Sequence, residues 1–441
     1  MTDAAGEAPA PQTDGVHVVK AAGFSPRTIT LLLLLVVYIS NYADRQILNV
    51  LAVQIMADMQ ISKSAFGLLS GLSFALFYAT LGIPIAVLAD RVSRKWILIG
   101  SMAVWSIMTT FCGFAQGFWQ LAAARVGVGI GEAGGSPPSH SMISDLYALN
   151  QRGTALAVYS LGVPLGTAVG NLVGGQIGGA FGWRAAFYVL GIPGLLLALY
   201  FAFAFREPPR GHSDGGIDDK AAAPGLREVA KFMLSQRSLV HTVVGATLIT
   251  AVGYGGLTFT AAFLQYSHHM SLGTVANYLA LQTGVVSAIG TFMGGYLADV
   301  LSRRNLGWSA WVVTAAIVIA TPFSVAQYLL NDTTTVLWLM TVSILVGGLY
   351  LAPTFALIQN LVGVRMRATA AALLLFCINL VGLGAGPLIV GIMADALTPI
   401  FHEDAVRYAL FAFSTLSLWG AWHFWLAPRT LKEDLERAAK A

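Results

Sequence analysis

The sequence predicts an all-α integral membrane protein with 12 transmembrane helices in two related six-helix bundles. Three observations carry this. Apolar runs of membrane-spanning length recur along nearly the whole chain, one long polar segment divides them six and six, and two polar motifs recur at equivalent places in the two blocks.

Composition sets the class. Of 441 residues, 56% are hydrophobic and only 10% charged, against about 25% charged in a soluble protein. The mean hydropathy of +0.71 agrees. A bilayer core about 30 Å thick needs roughly 20 apolar residues per helix, so lipid is the solvent for most of the surface. A net charge of +4 would suggest nucleic acid in a soluble protein. Here the basic residues fall in short loops between apolar runs, where membrane topology explains them and no nucleic-acid partner is expected. Cys112 and Cys377 both lie in apolar runs and read as free thiols. Residues 1–27 are polar, without the apolar core of a signal peptide, and read as a cytoplasmic tail.

The predicted spans are 28–54, 64–88, 96–115, 119–147, 153–178 and 184–205, then 239–264, 273–298, 307–328, 334–360, 366–394 and 406–427. The bundles occupy 28–205 and 238–427, joined by a cytoplasmic linker over 206–237, with a cytoplasmic tail over 428–441. Leu226–Ser235 in the linker reads as a short interfacial helix. One side of the membrane, tails included, carries 20 of the 25 Lys and Arg residues, and the other carries Lys63, Arg184 and Arg407. The positive-inside rule then places both termini in the cytoplasm of a multi-pass plasma-membrane protein (the inner membrane, for a bacterial chain).

The blocks are internally repeated. Residues 86–95 read AVLADRVSRK and 295–304 read GYLADVLSRR, each between the second and third spans of its block. Pro138 to Ala155 aligns with Pro353 to Ala370, pairing Asp145 with Asn360 and Arg152 with Arg367. Parallel repeats of six spans imply two bundles facing each other across a central cavity, which rocking exposes to each side in turn.

The Ala86–Lys95 segment resembles the Gly-x-x-x-Asp-Arg-x-Gly-Arg-Lys motif of the major facilitator superfamily, with Ala86 and Ser93 in place of glycines; the second copy keeps Gly295. The resemblance covers the whole chain and implies that superfamily's fold and secondary transport by alternating access. A narrower resemblance, to the spinster branch, rests on Asn41-Tyr42-Ala43-Asp44-Arg45, on Arg125 to Ala133, and on Arg206-Glu207-Pro208-Pro209-Arg210-Gly211. It implies an amphipathic, lipid-like organic substrate. An uncoupled facilitator, or a multidrug-type exporter of small organic molecules, is the alternative.

Charges inside the spans point to coupling. Asp44 and Arg45 lie deep in the first span, and Arg125 and Glu132 in the fourth. A charge at the bilayer centre costs about 2.5–3.5 kcal/mol, so such residues face the interior or a wet cavity. Adjacent helical residues point about 100° apart, so Asp44 and Arg45 do not aim at one point. The proton-coupling set is Asp44, Glu132, Arg45 and Arg125. Glu132 and Asp44 are the expected protonation sites and Arg45 the switching counter-charge. A permanent ion pair between helices is the competing reading. The position equivalent to Glu132 in the second block is Gly347, so protons are assigned to the first bundle and the pocket's shape mainly to the second. Substrate-binding candidates are Asn41, Tyr42, Tyr254, Gln282, Tyr350 and Asn379. For those in the second bundle an interhelical hydrogen bond is the plainer alternative.

The gating candidates are Asp90, Arg91, Arg94, Asp145 and Arg152, with Asp299 and Arg303 in the second copy. The superfamily resemblance implies that they latch the bundles together on the inner side. Gly162, Gly166, Gly170, Gly174 and Gly178 make a smooth stripe for close helix packing. Gly127, Gly129 and Gly131 are no dinucleotide fingerprint, because no strand precedes them. His268 and His269 read as solvated loop residues. No metal, cofactor or enzymatic constellation is expected, and the chain is expected to be a monomer.

Overall fold

The computed structural model describes residues 25–210 and 225–438. The tail through residue 24, linker residues 211–224 and residues 439–441 lie outside the described residues.

The first half contains α1 (Pro26–Val50), α2 (Lys63–Ala89), α3 (Arg94–Phe114), α4 (Phe118–Glu132), α5 (Ser136–Leu146), α6 (Gln151–Phe181) and α7 (Trp183–Ala204). After α8 (Leu226–Ser235) the second half contains α9 (Arg237–His268), α10 (Leu272–Ser302), α11 (Trp308–Ala326), α12 (Thr333–Asn360) and α13 (Arg367–Cys377). A π-helical segment, Ile378–Ala385, leads into α14 (Gly386–Phe401), followed by α15 (Ala405–Ser414), α16 (Leu416–Leu426) and α17 (Leu431–Ala438).

Local chemistry sets the boundaries. Ser25, Ser271 and Asp332 accept hydrogen bonds from the first-turn amides of α1, α10 and α12. Gly182, at φ 84°, makes the left-handed break between α6 and α7 that a side chain would resist. The sequence predicts one continuous span over 119–147, but α4 ends at Glu132 and the chain turns through Ala133–Gly135 into Ser136-Pro137-Pro138. Glu132 therefore sits at a helix end.

Among the described residues, ten segments are long and apolar enough to cross a membrane. One of them, Thr369–Ala438, has 70 residues. A helix of that length would run about 105 Å, far more than one crossing needs. It divides at His402–Asp404. The break at Ala133–Gly135 divides the fourth predicted span into α4 and α5, of 15 and 11 residues, each too short to cross alone. Both facts are consistent with twelve crossings. Phe203, Trp119 and Phe292 are 84%, 80% and 77% exposed, as expected where the contacting solvent is hydrocarbon rather than water.

Two faces follow from the connectivity. On the termini-bearing face, Arg27 meets Gln151, and Arg94 meets Asp145 and Glu207. There α8 buries Val229 and Met233 against the second half, and Asp434 of α17 accepts the Ser238 amide at 2.9 Å. The segment after residue 427 thus folds back onto the start of α9. On the far face the two halves seal together. Ser70 bonds Thr258 at 3.1 Å, Asn171 donates to Thr283 at 3.3 Å, and Gln176 donates to Asn277 at 2.9 Å.

The glycine stripe of α6 packs as expected. A Cβ at Gly166 would stand 2.5 Å from the Ile39 carbonyl oxygen, and one at Gly170 2.6 Å from that of Ala43, so α6 lies directly against α1. The two thiols are free, Cys112 buried and Cys377 half-buried. The solvated-loop reading of His268 is corrected. His268 ends α9 half-buried, 5.0 Å from the Phe263 ring centroid, with Nδ1 3.2 Å from Thr333 Oγ1. His269 is the exposed left-handed cap at φ 51°.

Candidate functional site: a caged ion pair beside an uncharged cavity

The deep charges of α1 and α4 meet. Arg45 Nη2 donates to Glu132 Oε2 at 2.6 Å, and Nε donates to the same oxygen at 3.2 Å. The guanidinium lies 4.7, 4.6 and 4.7 Å from the ring centroids of Tyr42, Phe74 and Tyr78. Three π-faces suit a weakly hydrated planar cation removed from water. Tyr254 of α9 reaches the same guanidinium from the second half. The pair therefore stands at the boundary between the halves, with Arg45 8% and Glu132 1% exposed. Asn41, one turn before Arg45, is buried beside Glu132.

Asp44 points elsewhere, as the 100° step between neighbours requires. It is 1% exposed, with Thr109 and Arg125 as neighbours inside the first half. Among the described residues neither carboxylate oxygen has a hydrogen-bond partner. Arg125 also leaves Nε and Nη1 unpartnered, with its guanidinium 5.3 Å from the Phe74 ring centroid. The four charges thus divide into a closed pair, Arg45–Glu132, and an open one, Asp44 and Arg125.

A cavity of about 420 Å³ adjoins this boundary, and its described lining comes from the second half. Tyr254, Gln282 and Tyr350 line it, with Thr250, Ser324 and Gln327. The rest of the lining mixes apolar residues with further hydroxyls, among them Thr283, Thr321 and Ser343, and includes no charged side chain among the described residues. Gln282 opens a π-helical turn, Gln282–Val286, and donates to Thr341 at 2.6 Å. The Tyr350 hydroxyl lies 3.1 Å from Thr250 Oγ1. Asn379 sits in the other π segment, outside the lining, and Asn41, Tyr42, Asp44 and Glu132 are also outside it. The acidic groups stand behind the wall, and Tyr254 connects the wall to Arg45.

On the termini-bearing face Arg94 is 1% exposed and surrounded by acceptors. It pairs with Asp145, donates through Nε to Glu207 at 2.9 Å, and donates through Nη2 to the Pro208 carbonyl at 2.8 Å. Glu207 also accepts from Ser93 Oγ at 2.5 Å and from the amides of Arg94 and Lys95 at 3.1 and 3.3 Å. It therefore caps the positive end of α3. Arg210 donates to the carbonyls of Ala89 and Val92 at the end of α2. The spacing of charges in the sequence does not reveal Glu207 or Arg210 as partners, because both fall in a proline-rich stretch that reads as linker.

Of the other gating candidates, Arg91 is exposed and Arg152 donates to the Ser144 carbonyl at 2.9 Å. The side chain of Asp90 lies outside the described residues. Asp299 and Arg303 are exposed and form no ion pair among the described residues. The structure thus gathers Arg94 and Asp145 with Glu207 into a cluster beside the start of α3.

Burial works against ionisation of Glu207, but the donors from Ser93, Arg94 and Lys95 outweigh it and hold the carboxyl below the usual glutamate range. A depressed folded-state value gives stability that is present above about pH 4.3 and lost as pH falls through the lower folded value. Glu207→Gln is expected to lower stability by about 1–2 kcal/mol near neutrality. Melting curves from pH 7 to below pH 4 check this: the variant's deficit should shrink as pH falls below about 4.3.

A family model of the Major Facilitator Superfamily matches residues 34–387. The chain belongs to the Major Facilitator Superfamily. An MFS-type efflux pump of Mycolicibacterium smegmatis is 34% identical over 401 residues, covering 91% of this chain and 92% of that protein. Protein spinster of Drosophila melanogaster is 26% identical over 387 residues, covering 85% of this chain and 63% of that protein. Among solved structures, a bacterial homologue of the human lysosomal transporter Spinster, inward-facing and unoccupied, superimposes with a TM-score of 0.85 at 31% identity. That match covers 93% of this chain and 99% of the other. This superfamily member is therefore spinster-like and a multi-pass membrane transporter of small molecules, not an enzyme.

Proposed function

We propose that this chain is a proton-coupled secondary transporter of an amphipathic, lipid-like organic solute, described here in its inward-open state. The observation that carries the reading is the buried Arg45–Glu132 pair, held between the halves and within electrostatic reach of Tyr254 across the boundary. Rocking the bundles, residues 28–205 against 238–427, about the linker 206–237 moves Tyr254 relative to Arg45. That movement changes what Arg45 offers Glu132. A carboxyl that loses its cation in a buried place is neutralised by taking a proton. Asp44, buried without a hydrogen bond, is the second proton site.

The polarity of charge in the loops supports cytoplasmic termini in a plasma membrane. The far-face seal, together with an inward-facing solved relative, supports a cavity open to the cytoplasm. The uncharged cavity, with scattered hydroxyl and amide groups among apolar ones, suits a solute with a long apolar part and a hydrogen-bonding head. The similarity to an efflux pump and to spinster proteins supports that class. No cofactor enters the cycle, and one chain suffices for it.

Glu132→Gln in proteoliposomes tests the coupling. Flux driven by a pH gradient should fall at least tenfold, while solute exchange without a gradient persists. A second reading, an uncoupled facilitator or multidrug-type exporter with a static pair, draws on the complete burial of Glu132 in this state. Wild-type flux that a pH gradient does not drive would establish it, whereas undiminished gradient-driven flux in Glu132→Gln would overturn the assignment of coupling to Glu132.

A further inference from the structure

We infer that Asp395 is the far-face gate latch of the transport cycle: a carboxylate on the second half that caps the first turn of α2 on the first half and holds the two closed on that side. The inference rests on the alternating-access reading above.

Asp395 lies in the last turns of α14. Its Oδ1 accepts the Lys63 amide at 3.0 Å and its Oδ2 accepts the Ser64 amide at 2.8 Å. These are first-turn amides of α2, which have no partner inside their own helix. Ser62 Oγ, the local cap, is directed to the next amide, that of Ala65, at 3.1 Å. A single helix start thus takes its acceptors from both halves. Lys63 adds a second tie, donating through Nζ to Thr398 Oγ1 at 2.9 Å, one turn further along α14.

Among the described residues, further polar contacts across this face are uncharged: Ser70 with Thr258, Asn171 with Thr283, and Gln176 with Asn277 and the Gly273 carbonyl. Asp395 differs because it brings a full charge to the positive end of a helix, and charge-assisted bonds of this kind are about twice as strong as neutral ones. The approach that makes it possible is built in. A Cβ at Gly391, one turn before Asp395, would stand 2.4 Å from the Lys63 carbonyl oxygen. A cleft of about 380 Å³ that includes Gln60, Lys63, Tyr266 and Asp395 lies beside the latch. When the halves part, water in that cleft replaces the amides on the carboxylate and the carboxylate on the amides. The latch is thus reversible.

The test uses the full chain in nanodiscs, with Cys112→Ala and Cys377→Ala, and spin-label distance distributions. One pair, Gln116→Cys with Leu329→Cys, spans the far face. The other, Gly153→Cys with Arg304→Cys, spans the termini-bearing face. Asp395→Ala is expected to raise the far-face-open population at least about tenfold relative to closed, with a matching closure on the other face. Thr398→Val, which removes only the Lys63 tie, should shift it less. Should Asp395→Ala fail to fold, Asp395→Asn carries the test, because its amide can accept one of the two bonds but not both. If both distance populations exist and their ratio is unmoved by either Asp395 substitution, the latch is overturned and alternating access stands. If no second population occurs in any variant, both fall together.

Discussion

Arg45→Ala is expected to destabilise the protein by about 3–5 kcal/mol and to abolish transport. Arg45 is the sole hydrogen-bond donor to Glu132 Oε2 among the described contacts, and Oε1 is already unpartnered. Removing the guanidinium leaves a carboxyl that is 1% exposed with no cation hydrogen-bonded to it, a larger penalty than the pair contributes net when both members are present. The rings of Tyr42, Phe74 and Tyr78 also lose the group they surround. Arg45→Lys is not conservative here. An ammonium cannot donate from two nitrogens of one plane or lie flat between aromatic faces, and it is harder to dehydrate. The informative comparison is the double variant Arg45→Met with Glu132→Gln. It has no stranded charge and a similar volume, so it should recover most of the lost stability while remaining inactive in gradient-driven flux. Thermal melts in detergent across the double-mutant cycle check the first part, and proteoliposome flux the second. Equal melting temperatures for Arg45→Ala and the wild type would mean that Glu132 is adequately solvated or neutral without its partner, and the pair would lose its place in the mechanism.

How much of this was legible in the sequence depends on which physical effect set each feature. The fold was readable because lipid as solvent imposes run length and low charge on every crossing, and each run announces itself independently. The glycine stripe of α6 was readable for a similar reason: a four-residue period places Gly166 and Gly170 on one face wherever the helix goes. The charged site was half readable. Helix geometry says that Asp44 and Arg45 diverge, but the rotation of α1 within its bundle decides that Arg45 faces Glu132. That rotation is set by packing across several helices, not by residues near Asp44. Glu207 was not readable as a partner because its role is fixed by where α7 ends relative to the start of α3, a contact 113 residues apart in sequence. The two π-helical turns at Gln282 and Ile378 left no periodic signal either. His268 was misread because the sequence places it near a helix end, while the packing of Phe263 and Thr333 around it is tertiary.

Gly67→Val is expected to reduce transport more than tenfold while leaving the fold intact, and the reason lies in which backbones the glycine separates. A Cβ at Gly67 would stand 2.4 Å from the Pro387 carbonyl oxygen, 2.8 Å from its carbon and 3.0 Å from Leu388 Cα. All three are main-chain atoms of α14, on the other half, so no rotamer change relieves the clash. Within a continuous core such overpacking costs about 1–3 kcal/mol and strains the fold. Between two bodies that part in each cycle, the relief is to stay apart. Valine at this position should therefore hold the far face open, preserve solute binding from that side, and block the return to the state described here. Gly170→Val supplies the contrast. Its Cβ would meet the Ala43 carbonyl oxygen at 2.6 Å, a clash of similar severity, but α6 and α1 belong to the same half. Nothing there can swing away, so the expected outcome is a lower melting temperature and poor yield, without a change in conformational balance. Melting temperature and far-face label distances, measured for both variants, separate the two cases. A Gly67→Val protein that transports at the wild-type rate would show that the far face need not close as tightly as α2 and α14 do here. One that melts as early as Gly170→Val would show that the contact belongs to the fold and not to the cycle.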